Sequence, residues 1–216
     1  MSPPPSRPQI YHITHIENLN PIATCTELWS DGECLRRGAS HTRVGMSGIK
    51  APRLYELDVD CHPGTKVGEY VPFYFCPRSI MLYLVYRGNH PELTYTGGQR
   101  PLVHLVADLR EVVRLSEAQR VRWAFSDRNA GTRYTTFYKD LTDLDRVDWD
   151  AVAARDFRDP FVKEGKQAEF LVYGALPWSL VRWIGTCDQT MAERAIQALQ
   201  GAEHQPLVSV EAGWYY

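Results

Sequence analysis

The spacing of apolar residues divides the chain into short elements. QIYHI, residues 9–13, alternates as a half-buried strand does, and ENLNPIAT after it reads as a helical turn. YVPFYF at 70–75 is strand-like. After CPRS comes the apolar segment IMLYLVY, and Gly97-Gly98 ends that region. LVHLVAD at 102–108 is a continuous apolar run of strand length, which predicts a buried central strand. Ser116 before EAQRV predicts a helix N-cap, VRWAFS at 121–126 a further strand, and DRNAG a turn. Over 140–159, seven Asp residues interleave with Leu144, Val147, Trp149, Val152 and Phe157, the pattern of one or two amphipathic helices facing solvent. EFLVYG at 169–174 is a strand that opens on a carboxylate. Pro177 then starts a helical turn, TMAERAIQALQ is a helix closed by Gly201, and PLVSVEA is a last strand. Strands and helices mix without a βαβ rhythm or an internal repeat, so the expected class is α+β with a mostly antiparallel sheet.

Composition adds limits. An apolar share of 44% over 216 residues suffices for one domain with a full core. Residues 2–8 hold four of the fourteen prolines and are expected to be a disordered leader, so the domain boundaries are 1–8 and 9–216. No run of about 18 apolar residues and no secretory pattern occurs, which predicts a cytoplasmic protein away from membranes. Five cysteines without a C-x-x-C pair predict reduced thiols. The net charge of −2 at first argues against a nucleic-acid partner, yet it sums two unlike stretches. Between Cys34 and Tyr55 there is no Asp or Glu, while Arg36, Arg37, Arg43, Lys50 and Arg53 are present; this reads as a basic irregular loop that attracts phosphates. The stretch 140–159 carries the opposite sign.

Gln167 and Glu169, two apart at a strand start, share one face. A carboxylate fixed there can bind a sugar hydroxyl or stabilise positive charge on an anomeric carbon; the plain alternative is a solvated strand end. His12 and Thr14 likewise share a face of the first strand. His12 and His15 lack companions at ligand spacing, so no metal site is expected. Arg78 and Ser79 interrupt the aromatic run, where Tyr83 could stack on a flat ring, whereas Phe73 and Phe75 are assigned to the core. There is no Walker loop, G-x-G-x-x-G, G-x-S-x-G or H-E-x-x-H.

In order, these pieces resemble an ADP-ribosyltransferase. YHIT at 11–14 resembles the first-strand His-x-Thr of the class named for its His, Tyr and Glu; YFCPRSIMLY at 74–83 is similar to its aromatic strand, serine and stacking tyrosine; QAEF at 167–170 matches its late glutamate. More closely, YVPFYFCPRSIMLY, GGQRPLVHLVAD, FSDRNAGTRYTTFY, DLDRVDWDAV, KQAEFLV and the terminal WYY resemble the DarT toxin family. That resemblance implies a central split, mostly antiparallel sheet flanked by helices, and NAD-dependent attachment of ADP-ribose to a base in single-stranded DNA, thymine in the larger branch. It also implies a macrodomain antitoxin, DarG. By position, His12 and Thr14 would hold the nicotinamide-side ribose or amide of NAD, with Ser79 beside them. Tyr83 would stack near the nicotinamide, and Tyr74 or Phe75 would take the family's aromatic position. Glu169 would be catalytic, and Arg53 in IKAPRL would help activate the thymine.

Chemistry runs parallel to the resemblance. Cleaving the nicotinamide–ribose bond makes an oxocarbenium-like centre that a carboxylate can stabilise. Arg53 suits the anion of a thymine ring nitrogen but is too basic to accept its proton, which leaves His12, Glu169 or water. For the DNA strand, Tyr134, Phe137 and Tyr138 near Arg128 and Arg133 are candidate stacking platforms, Gln167 and Arg78 candidate substrate contacts, and DFRDPFVKEGKQ a contact surface. The chain is expected to act as a monomer. The competing readings are transfer to guanine or another acceptor, and a non-catalytic module that only grips nucleic acid.

Overall fold

In the computed structural model, which describes residues 2–39, 42, 44 and 47–216, the strand alternation at the N-terminus becomes β1 (Gln9–His15). β2 (Glu27–Trp29), β3 (Tyr70–Tyr74), β4 (Leu102–Asp108), β5 (Trp123–Asn129) and β6 (Phe137–Tyr138) follow. β7 (Ala168–Tyr173), β8 (Ala175–Pro177), β9 (Trp183–Thr186) and β10 (Leu207–Val210) complete the strands. The helices are α1 (Leu19–Cys25), α2 (Asp31–Arg36), α3 (Ser47–Tyr55), α4 (Ile80–Arg87), α5 (Leu109–Gln119), α6 (Trp149–Ala153), α7 (Pro160–Gly165) and α8 (Gln189–Ala198). Eight strands form one sheet in the order β10-β9-β4-β1-β3-β7-β5-β6, and β2 pairs with β8 apart from it. Within the large sheet β9 and β10 run parallel and the other pairs antiparallel. The α+β expectation holds.

β4 is buried at all seven positions, as its unbroken apolar run requires, and pairs with the whole of β1. On its other side β1 meets β3 through the Tyr11–Tyr74 register pair. The sheet therefore divides along a β1–β3 seam, and a cleft opens there. β3 continues the sheet into β7, with Tyr74 opposite Glu169 and Phe73 opposite Phe170. Phe73 and Phe75 are core residues, as expected.

Several local expectations are corrected. Ser116 does not cap a helix; it lies buried within α5, whose inner face is Leu109, Val112, Val113 and Ser116. The cap is Asp108, which ends β4 and accepts from the Glu111 N–H at 3.2 Å. β5 extends to Asn129, through three of the five residues of the DRNAG segment read as a turn. The acid-free stretch 34–55 is not one irregular loop: α2 and α3 occupy parts of it, and Arg43 lies outside the described residues. α3 rests on the short helix Val67–Glu69 at Gly68, where a Cβ would come within 2.9 Å of Leu54 Cα. Only glycine permits that approach, and it fixes where α3 delivers Arg53.

Residues 2–8 carry no regular element, as their prolines dictate, yet they touch the body. The Ser2 N–H donates to Asp150, Arg7 pairs with Asp108 at 3.2 Å, and the Pro8 carbonyl accepts from the Leu109 N–H. Among the described residues no helix is long and apolar enough to cross a membrane.

Candidate active site

The cleft at the seam has a volume of about 290 Å³. β1 supplies His12 and Thr14, two apart and so on one face; β3 supplies Tyr74, and the start of β7 supplies Gln167 and Glu169. α3 contributes Lys50 and Arg53, one turn apart, and α4 covers the opposite side with Ile80, Met81, Leu84 and Val85. One wall is thus polar and the other apolar.

At its centre is an ion pair between residues 116 apart in sequence. Arg53 Nη1 and Nη2 donate to Glu169 Oε1 and Oε2 at 3.0 and 2.8 Å, a fork-on-fork arrangement. The Glu169 side chain is 3% exposed and that of Arg53 14%. Ala130 N–H adds a bond to Glu169 Oε1 at 3.3 Å, and the Glu169 backbone N–H donates to Ser126 Oγ at 3.0 Å. Burial alone would lower the pKa of Arg53, but the charge and hydrogen bonds of Glu169 outweigh it and hold the guanidinium more firmly protonated than usual. Burial, reinforced by the Glu169 charge, pushes the Tyr74 phenol far up, so it remains a neutral hydroxyl. A buried cation, a buried carboxylate and a neutral donor therefore meet in one low-dielectric space, where charge has its greatest leverage.

The other polar groups are positioned by neighbours that sequence reading missed. His12 Nδ1–H donates to the Pro72 carbonyl at 2.8 Å, bridging the seam and fixing the imidazole plane. Thr14 Oγ1 accepts from Asn18 Nδ2 at 3.0 Å, while the Asn18 amide also clasps the Thr42 backbone through 2.9 Å bonds in both directions. Asn129 Nδ2 donates to Gln167 Oε1 at 3.1 Å, at the point where β5 meets the start of β7. Lys50 Nζ pairs with Asp31 Oδ1 at 2.7 Å. Asn18 left one signal in the sequence: a polar residue four after Thr14 in the turn that leaves the strand.

Five expected site residues do not line the cleft. Ser79 is fully buried as the N-cap of α4, accepting from the Leu82 N–H at 3.2 Å. Because that cap starts a helix, Tyr83 turns away from the wall formed by Ile80 and Leu84; its ring meets Tyr86, Phe157 and Tyr216 instead. Arg78 is held by the chain end: it donates to the Tyr215 carbonyl and lies 4.1 Å over the Tyr216 ring. Arg133 pairs with Glu56 at 3.1 Å on the surface, and Tyr134 is 89% exposed. Both lie on the surface, outside the cleft. His12, Thr14, Tyr74, Arg53, Gln167 and Glu169 do converge.

The basic stretch is not a free cationic surface. Arg36 and Arg37 both bind Glu33, Lys50 binds Asp31 and Arg53 binds Glu169, so each described cation there has a carboxylate partner from outside the acid-free stretch. Among the described residues no three His, Cys, Asp or Glu side chains gather as a metal would require.

A family model described as ssDNA thymidine ADP-ribosyltransferase, DarT, matches residues 11–216. This chain belongs to the DarT family. A DNA ADP-ribosyl transferase of Thermus aquaticus is 40% identical over 96% of this chain and 88% of its own, and one from Thermus sp. strain 2.9 is 35% identical over 98% of both. The solved structure of Thermus sp. 2.9 DarT in complex with ADP-ribosylated ssDNA superposes with a TM-score of 0.88 at 34% identity, covering 98% of each chain. The same DarT in complex with NAD+ gives 0.82. The split sheet is accordingly the ADP-ribosyltransferase fold, and as a DarT member the chain is an NAD-dependent DNA ADP-ribosyltransferase.

Proposed function

We propose that this DarT enzyme moves ADP-ribose from NAD to a thymine base in single-stranded DNA, with release of nicotinamide. We further propose that it does so as a cytoplasmic, monomeric toxin restrained by a DarG macrodomain antitoxin. The observation that carries the chemistry is the buried Arg53–Glu169 pair at the seam, flanked by His12, Thr14, Tyr74 and Gln167.

The cleft suits NAD: the apolar wall of α4 fits a flat ring, and the polar wall offers hydroxyl and amide partners beside a buried carboxylate. NAD supplies an electrophilic sugar carbon with nicotinamide as its leaving group. His12 and Thr14 would bind and orient the nicotinamide end. Glu169 would offer a carboxylate oxygen to the sugar as positive charge develops, an interaction worth most when it strengthens only in the transition state. To do so it must loosen one of its two bonds to Arg53. The guanidinium so released can face the carbonyl oxygens of a pyrimidine whose ring nitrogen passes its proton to His12, Glu169 or water as it bonds to the sugar carbon. Being held firmly protonated, Arg53 acts there as a charge partner and not as the proton acceptor. Tyr134, Arg133 and the surface of 156–167 lie outside the cleft and would meet the strand around the target.

The reading is tested by incubating the purified protein with NAD and single-stranded oligonucleotides that each lack one base. A slower band on a denaturing gel, heavier by one ADP-ribose, should appear wherever thymine is present and nowhere else. Modification of thymine-free strands would move the acceptor to another base, and no product with any strand would end the proposal.

A further inference from the structure

A cleft that must take two phosphate-bearing reactants carries surprisingly little free positive charge. Among the described residues, its charged lining is Glu27, Asp31 and Glu169 against Lys50 and Arg53. NAD brings a pyrophosphate and the DNA a phosphodiester backbone, so an uncompensated cleft of this sign would repel both. Arg53 is committed to Glu169 by two bonds in a buried setting. Glu27 is occupied elsewhere, accepting from Trp29 Nε1 at 2.9 Å with Arg37 at 3.8 Å. Lys50 remains. It stands one turn from Arg53 on the same face of α3, is 24% exposed, and is tied to Asp31, itself 36% exposed. A half-exposed pair of this kind contributes little to stability and opens readily, whereas a buried fork does not.

We propose that Lys50 is the phosphate-binding cation of the cleft, and that Asp31 is a place-holder that the incoming phosphate displaces. This rests on the transferase reading and identifies which side chain of the site receives the anionic part of a reactant. The lysine, a compact point charge with three rotatable donors, can change partner without moving α3. The displaced Asp31 returns to solvent at the mouth of the cleft. Asp31 is then a competitor for the substrate and not a support for it.

The two sources of phosphate are separated by two binding measurements on the full chain, one with ADP-ribose and no DNA, the other with a thymine oligonucleotide and no NAD. Lys50→Met should weaken binding about tenfold in one of them, as expected for a lost charge-assisted contact. Lys50→Arg should restore most of it, and Asp31→Asn should strengthen binding two- to fivefold in that same measurement. If the oligonucleotide responds, the slope of log affinity against log salt should also fall by about 0.7 in Lys50→Met, one single-strand phosphate contact. Opposite signs for Asp31→Asn and Lys50→Met are the signature, because a merely structural ion pair loses from either change. Same-signed effects, or no effect in either measurement, overturn the assignment, with melting curves confirming that the variants fold. The transferase reading stands or falls separately on whether the unaltered protein modifies thymine strands.

Discussion

The stretches 34–55 and 140–159 are mirror images in composition, one without acids and the other rich in Asp, but the fold treats their charges in different ways. In the first, each described cation meets a carboxylate from outside the stretch: Arg36 and Arg37 pair with Glu33 along α2, Lys50 with Asp31, and Arg53 with Glu169. In the second, acids mostly serve the backbone. Asp140, Asp148 and Asp159 accept from the N–H groups of Thr142, Ala151 and Phe161 at 2.8–2.9 Å, so each starts a short helix, while Asp150 receives Ser2. A charge run in a sequence is therefore not a field. The 34–55 stretch is neutralised where it lies, and the 140–159 stretch is locally satisfied by helix starts that favour negative charge.

The largest effect should come from breaking the deepest pair. Glu169→Gln keeps the shape but leaves the Arg53 charge buried without a counter-ion, so turnover on a thymine strand should fall by about 10³-fold. A stability loss of about 3 kcal/mol should accompany it in denaturant titrations. Wild-type turnover in that variant would remove Glu169 from the chemistry.

Next is acid, which separates ionic from non-ionic support. His104, buried in the middle of β4 against the Pro77 carbonyl and Tyr215, has its pKa lowered to about 4 by burial, partly opposed by that carbonyl. The unfolded chain takes up the proton near the ordinary histidine value and the folded chain only near pH 4. Stability contributed by neutral His104 is thus complete above about pH 6.5 and is lost as pH falls toward 4, about 3 kcal/mol in all. Unfolding midpoints measured at pH 7 and pH 5 should differ accordingly, and His104→Asn should flatten the difference. A slope that survives the substitution would assign the acid limb to the carboxylate pairs.

Asp148→Ala removes the cap of α6 and should lower stability by about 1 kcal/mol without changing affinity for a single strand. At the foot of the scale, Arg36→Gln should leave the melting temperature unchanged, because its partner Glu33 keeps Arg37. A marked loss there would show that the stretch needs all its pairs.

Much of this was legible because strands announce themselves locally. β1, β3, β4 and β7 follow from alternation or from unbroken apolar runs, and the facing of His12 with Thr14 follows from period two. Most of what was not legible depends on contact across the chain. Nothing near Arg53 signals Glu169, 116 residues on, and nothing near Lys50 signals Asp31 in another helix. Tyr83 lies off the cleft because Ser79 caps a helix, in which Ile80 and Leu84 share the cleft-facing side and Tyr83 does not. Arg78 points at Tyr215 and Tyr216, which a linear reading puts 137 residues away.

The order of strands in the sheet also sets a timetable. β1, β3 and β4 are all made within the first half of the chain, so most of the floor of the cleft can form while the ribosome is still at work. β7, which carries Glu169, inserts between β3 and β5 and cannot exist until about four-fifths of the chain has emerged. Until then Arg53 lacks its Glu169 counter-ion, and Glu27 and Asp31 are the carboxylates that line the cleft among the described residues. A chain that stops short of β7 consequently lacks the Arg53–Glu169 pair at the centre of the cleft.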